Sequence, residues 1–150
     1  MISLRDALDE DIPWILDEVE VFAERHGSEQ HLEVGVEYGT KYIKNLIKHH
    51  YFKVAVKNGV EKAGFIAGLI TPHHFNPELT IMHELLWWVS DKYRGQGAGI
   101  MMLDAYLKYG KEHCNLISFT LQDIGAPNDK VLTDRGLKLK ERSYLMEVKK

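Results

Sequence analysis

The chain carries one cysteine, Cys114, in 150 residues, so it can close no internal disulfide and offers no thiolate cluster to a metal. A reducing compartment suits such a sequence. Low-complexity tracts, internal repeats and linker-like stretches are all missing. No apolar run approaches the roughly 20 residues that a membrane span requires. The opening Met1-Ile2-Ser3-Leu4-Arg5-Asp6 meets an acidic residue too early for a signal peptide. Nor is there a clustered excess of Lys and Arg of the kind that nucleic acid requires; the formal net charge is −3 at pH 7. These absences predict a cytoplasmic protein with one domain over residues 1–150, without a membrane or nucleic-acid partner. The spacing of histidines and carboxylates suggests no metal site.

What is present is ordinary in bulk, with 45% hydrophobic and 27% charged residues. A chain of this length buries about two-thirds of its unfolded surface. Eight histidines would swing the net charge positive as they protonate.

Periodicity divides the chain into elements. Ile2 to Arg5 alternates like a short strand, and Asp9, Glu10 and Asp11 offer an N-cap and an acidic first turn. Ile12, Ile15, Leu16, Val19, Phe22 and Ala23 then follow at helical spacing, with Asp17, Glu18, Glu20 and Glu24 opposite. That acidic face hints at a cationic acceptor, although such faces are usually only solvated. Residues 28–34 read as loop, and Val36, Ile43, Leu46 and Ile47 share one face of a second helix ending near His49-His50.

The period then changes to two. Phe52 to Lys57 and Ala63 to Ile70 flank Asn58-Gly59, a strong hairpin turn. Two prolines within Thr71-Pro72-His73-His74-Phe75-Asn76-Pro77 predict a loop. Thr80 to Val89 reads as a strand buried on both faces, because it is mostly apolar. Gly97 to His113 is helical, with Ile100, Leu103, Leu107 and Gly110 on one stripe and Met102 and Tyr106 beside it. Leu116 to Leu121 reads as strand, Pro127 to Arg135 as a short helix closed by Gly136, and Leu137 to Val148 as a returning strand. The order predicts an α/β protein with helices on both faces of a sheet.

Chemistry concentrates where the Trp87-Trp88-Val89 strand end leads through Arg94-Gly95-Gln96-Gly97-Ala98-Gly99 into a helix. Glycines let the backbone approach a ligand, and the N–H groups of a helix start suit an anion, pyrophosphate above all. A Walker loop would end in Gly-Lys-Ser/Thr, whereas Gly99 is followed by Ile100-Met101. A dinucleotide fingerprint starting at Gly95 would need glycine at position 100, which is Ile100. The pattern that matches is R-x-x-G-x-G, carried by Arg94, Gly97 and Gly99.

In this the chain resembles the GNAT acetyltransferase superfamily, whose coenzyme A loop reads Q/R-x-x-G-x-G/A between the fourth strand and third helix. The resemblance runs over nearly the whole chain: residues 3–13 are similar to the family's opening, the Asn58-Gly59 hairpin to its second and third strands, and Pro127-Asn128 with Arg135-Gly136-Leu137 to its closing Asn…Gly-Phe segment. It implies a mixed central sheet splayed between the fourth and fifth strands, and acetyl-CoA as cosubstrate without a metal. The N–H groups of Gln96, Gly97, Ala98 and Gly99, within the loop that contains Gly95, would hold the pyrophosphate, with Arg94 capping it and Asn128 also at the cofactor. Amides near Trp88 and Val89 would meet the pantetheine arm and polarise the thioester carbonyl, where attack builds negative charge.

Glu84 is a lone carboxylate in an otherwise apolar strand, a placement rarely adopted without a reason. Many GNAT members carry a general-base glutamate at this point of the fourth strand, and Glu84 matches it by position; a strand-end carboxylate paired with Lys or Arg is the structural alternative. His83 must point to the opposite face and reads as a packed histidine, and the His73-His74 pair as solvated loop. Cys114 reads as a small buried residue. Trp87 and Trp88 should face opposite sides, one into the core and one toward an acceptor cleft. Aligning Gly136 with the family's glycine places Leu132 or Thr133 where many members carry a general-acid tyrosine; Tyr144 and Tyr93 are the candidate substitutes, with core or loop packing the simpler role for both. The resemblance thus implies acetyl transfer to a primary amine, small molecule or peptide, with a homodimer left open. The alternative is a binding module of the same fold that holds acyl-CoA without turnover.

Overall fold

The computed structural model describes residues 1–25, 35–121, 126–146 and 148, and only the backbone of 126–128. Two compact units are present, Met1–Thr120 and Leu121–Lys150. The loop expected at 28–34 lies outside the described residues.

In the first unit, β1 (Ile2–Asp6), β2 (Tyr51–Lys57), β3 (Glu61–Pro72), β4 (Thr80–Val89) and β5 (Leu116–Ser118) form one sheet in that order. The first four strands are antiparallel and β5 joins β4 in parallel, a mixed sheet as the resemblance implies. The turn after β2 places Asn58 and Gly59 in left-handed conformation, φ 53° and 75°, which matches the twist of the paired strands.

Two helices, α1 (Ile12–Arg25) and α2 (Val36–His49), cover one face of the sheet. Their Ile12, Ile15, Leu16, Ile43 and Leu46 form a core with Phe52, Val54, Val56, Phe65, Ala67 and Trp88. The other face carries α3 (Ala98–His113), which buries Met102, Leu103, Tyr106, Leu107 and Gly110. Helices therefore do cover both faces. Val36 and Ile100, each assigned to a core stripe by spacing, are instead 68% and 39% exposed. Both stand within the first turn of their helices.

The acidic stretch Asp9–Asp11 forms a 3₁₀ turn, and α1 starts only at Ile12. Asp11 turns fully inward instead of capping a charged first turn. Its carboxylate accepts both Arg5 guanidinium N–H groups at 2.7 and 2.9 Å and the Leu8 N–H at 2.8 Å, and lies 3.3 Å from Lys62 Nζ. Burial pushes this carboxyl up, but Arg5 and the other donors outweigh it and hold it at about 2.

Three strand boundaries differ from the sequence reading. β3 continues through Thr71 and Pro72, paired with Ile81 and Thr80, because a proline at a strand's last position need donate no ladder bond. β5 stops at Ser118 rather than Leu121. Residues 137–146 and 148 form no strand and expose Leu139, Tyr144, Leu145 and Met146; alternation alone makes no ladder without a paired edge.

In the second unit, α4 (Ala126–Thr133) closes as expected at Gly136, with Gly136 N–H bonded to the Thr133 carbonyl and Leu137 N–H to that of Leu132, at 3.0 and 3.2 Å.

Burial on both faces belongs to β3, whose Ala63–Gly68 are all buried, and not to β4. Within β4 only Met82 and Trp88 are buried. The reason is topological: β5 pairs β4 only at Ile81, Met82 and His83, so the rest of β4 has a neighbour on one side alone. This is the splay.

Candidate functional site

A bulge in β4 sets the directions of the site residues. Gly68 pairs with Glu84 and Ala67 with Leu86, so Leu85 is the extra residue, and both Leu85 and Leu86 pack against the core beneath α1 and α2. Met82 and Glu84 before the bulge, and Trp87 and Val89 after it, therefore face α3. Trp88 faces the other side, so the two tryptophans do separate as alternation predicts. His83 pairs with Leu69, on the face opposite Glu84.

Trp87 ties the start of α3 to β4: its indole N–H donates to the Gly99 carbonyl at 3.0 Å. A Cβ on Gly99 would lie 3.6 Å from Val89 Cγ2, an ordinary contact that leaves room for alanine but little more. Gly97 caps the helix at φ 87° and Gly95 stands at φ 80°, a region that L side chains avoid. Nothing lies within 4 Å of where a Cβ would stand on either, so the loop borders open space. Met101 N–H donates to the Gly97 carbonyl at 3.1 Å; the N–H groups of Ala98, Gly99 and Ile100 are those that a helix start leaves without an intrahelical acceptor. The Gln96 side chain accepts from Lys57 Nζ at 3.0 Å.

At the strand end, Ser90 N–H bonds to the Ala63 carbonyl at 2.8 Å, on the β3 side. Alternation then turns the Val89 N–H toward the open edge of β4 and the Trp88 N–H back toward β3. Of this expected pair, Val89 alone presents its amide to the gap. Trp88 is anchored elsewhere: its indole N–H donates to Glu18 Oε2 at 2.8 Å, while Ser90 Oγ donates to Glu18 Oε1 at 2.7 Å. Glu18 is thus a brace between α1 and the strand end, not merely part of a solvated acidic face. Arg94 is held by Asp91, Nε to Oδ1 3.1 Å, and its guanidinium lies 4.7 Å from the Trp88 ring centre. Asp91 also takes a two-pronged bond from Arg25 at 2.7 and 2.6 Å.

Glu84 stands where β4 and β5 part. Thr120 N–H, two residues past the end of β5, donates to Glu84 Oε2 at 3.3 Å. Burial drives the carboxyl up from its ordinary 4.5 to about 7, against the downward pull of that N–H. A carboxyl raised toward neutrality in this way is suited to taking a proton and giving it up. The backbone of Asn128 lies in α4, and its side chain is outside the described residues. Cys114 ends α3 half-buried, its thiol pushed up by burial. Among the described residues no group of three or more His, Cys, Asp and Glu could hold a metal ion, and no helix is long and apolar enough to cross a membrane.

The model of the acetyltransferase (GNAT) family matches residues 13–132. The chain belongs to that family. No curated protein matches it at a significant level. Solved structures share the GNAT fold. A predicted acetyltransferase of Clostridium acetobutylicum, crystallised with acetyl-CoA, superposes with a TM-score of 0.76 at 18% identity, over 98% of this chain and 96% of that one. A ribosomal-protein-alanine N-acetyltransferase of Brucella melitensis biovar Abortus gives 0.70 at 14% identity, over 99% and 100%. An aminoglycoside acetyltransferase from an uncultured soil metagenomic sample, in complex with sisomicin, gives 0.69 at 11%, over 99% and 95%.

Sequence reasoning did not single out four residues that brace or border this candidate site. Glu18 looked like any exposed helical acid, Ser90 like a loop residue, Thr120 contributes only backbone, and Gly68 is one glycine in an apolar strand. A glycine inside a strand pattern is itself a sign of close approach, and Gly68 could have been flagged on that ground.

Proposed function

We propose that this GNAT protein transfers the acetyl group of acetyl-CoA to a primary amine by direct attack. The observation that carries this reading is the common face of β4 and α3: a glycine-rich helix start at one end of the open strand edge, and Glu84 where that edge begins. Residues 94–99 would hold the pyrophosphate through the N–H groups at the start of α3, with the Arg94 guanidinium beside them. Val89 N–H would polarise the carbonyl. Bound acetyl-CoA supplies a thioester carbonyl carbon, which accepts the amine nitrogen as the carbon–sulfur bond breaks and the sulfur leaves as thiolate.

An alkylammonium has a pKa near 10, so only about one molecule in a thousand is neutral at pH 7. Glu84, its carboxyl raised by burial, takes one proton from the alkylammonium, directly or through one water, and so frees the lone pair that attacks; the second proton leaves the nitrogen as the amide forms and passes to the departing thiolate or to water. Glu84→Gln keeps the shape and removes the basicity. With an accepted amine its rate should fall about 100- to 10,000-fold near neutral pH and recover partly at high pH, with acetyl-CoA affinity by calorimetry nearly unchanged. Parental rates across the whole pH range would remove Glu84 from the chemistry.

Leu132 and Thr133, where a phenol would be expected as general acid, favour the second reading of a non-catalytic acyl-CoA module. A panel of aminoglycosides, polyamines, lysine peptides and free peptide N-termini decides between them. Turnover of any one excludes the module; binding of acetyl-CoA with no turnover of any supports it.

A further inference from the structure

The cross-strand partner of Glu84 is Gly68, and the space a side chain would fill there is taken by Tyr106. A Cβ on Gly68 would sit 2.7 Å from Tyr106 Cε2 and 3.3 Å from its hydroxyl oxygen. That same hydroxyl donates to the Ser118 carbonyl at 3.3 Å. Gly68 is in β3 and Ser118 in β5, with β4 between them, so the phenol crosses the α3 face of β4 at the level of His83 and Glu84. Glu84 presents its side chain to this face, in step with Met82, whose Cε would touch the Gly68 Cβ at 3.2 Å. Tyr106 is fully buried, and Tyr51 and Phe119 each close on its ring at 5.6 Å between centres.

We propose that Tyr106 is a positioning residue for the reaction: its ring, admitted by Gly68, shields one side of the Glu84 carboxylate from water and so sets the pH at which Glu84 accepts a proton. This rests on the reading of Glu84 as the base. The phenol does not counteract its own shielding, because its O–H is committed to Ser118; an O–H donated to the carboxylate would favour the charged form. Burial, then the neighbouring Glu84, push the Tyr106 phenol well up, so it stays neutral. Among the described residues, the groups facing Glu84 are the Tyr106 phenol from α3 and the Thr120 N–H beyond β5, while Gly68 on β3 brings no side chain. Tyr51 and Cys114 act on the phenol, and His83 points away.

The test is a carbon NMR titration of the Glu84 carboxyl, its signal assigned by loss in Glu84→Gln. Tyr106→Phe keeps the ring and should leave the midpoint close to the parent's. Tyr106→Ala admits water and should lower it by about one pH unit or more. Should the alanine variant not fold, Tyr106→Leu, which cannot span from Gly68 to Ser118, should move it in the same direction. An unchanged midpoint in the alanine variant, or in the leucine variant read in its place, overturns the proposal. The pH–rate profile separates the two readings. A midpoint that moves by NMR while the rate profile stays fixed keeps Tyr106 as the residue that tunes Glu84 and removes Glu84 as base. A rate profile that moves with it supports both.

Discussion

Replacing Glu84 by glutamine should change how stability depends on pH, independently of any substrate. The folded carboxyl holds its proton to about pH 7, against an ordinary 4.5 in the unfolded chain. Between those values the unfolded state binds fewer protons, so parental stability falls as pH rises through the window and levels off above it. The whole drop, over about 2.5 pH units at 1.36 kcal/mol each, is at most about 3.4 kcal/mol. Glutamine keeps the acceptor for Thr120 N–H but has nothing to ionise, so Glu84→Gln should lack this drop. Urea unfolding followed by tryptophan fluorescence, at intervals from about pH 4.5 to about pH 8, measures both proteins across the window. The variant should gain on the parent by roughly 2–3 kcal/mol between the two ends of that range. A constant difference between parent and variant would refute the reasoning, because it would mean that water reaches the carboxylate freely in the folded state.

Three further outcomes are expected. Gly97→Val places a β-branched side chain at φ 87°, at a backbone cost of roughly 1–2 kcal/mol, and puts bulk into the space beside the loop; circular dichroism should show a folded protein and calorimetry no acetyl-CoA binding, and undiminished affinity would displace the site. Asp11→Asn leaves the Arg5 guanidinium without its charge partner and should cost about 2 kcal/mol in urea unfolding near neutral pH. The parent's advantage belongs above the ordinary 3.8 and should vanish as pH falls toward about 2, so equal stability of the two at pH 7 would contradict the pairing. Trp88→Phe keeps an aromatic ring against Phe22 but removes the donor to Glu18; a loss of about 1–3 kcal/mol is expected, and an unchanged urea midpoint would show that the brace contributes nothing.

The glycine-rich helix start was legible in the sequence because its chemistry is local: glycines at fixed spacing after an apolar strand end dictate both backbone and ligand class. Asn58-Gly59 and Gly136 were legible for the same reason. Glu84 stood out as a charge among apolar neighbours. What surrounds Glu84 was not legible, since Tyr106, Gly68 and Thr120 come together only through the order of strands and the placement of α3. The inward turn of Asp11 depended likewise on Arg5 and Lys62 reaching it from two strands. Composition misled for β4, whose apolar residues suggested burial on both faces, because pairing with β5 ends at His83 and leaves the following residues partly open. It misled for 137–148 as well, where alternation is present and a partner strand is not, among the described residues.

The bulge at Leu85 means that β4 is read in two frames. Up to Glu84, even-numbered positions belong to the α3 side; from Leu86 onward, the odd-numbered ones do. A saturating mutational scan of the strand should show a two-residue rhythm of tolerance that skips a beat at Leu85. Deleting that single residue would restore an uninterrupted rhythm and leave Trp87 on the α3 side and Trp88 on the other, because the pairings of Glu84 with Gly68 and Leu86 with Ala67 then follow one another directly; drawing Leu85 into the regular ladder instead would put both indoles on the wrong side. The bulge thus absorbs one extra leucine, so that the two halves of the strand differ in numbering by one while their working side chains keep their sides.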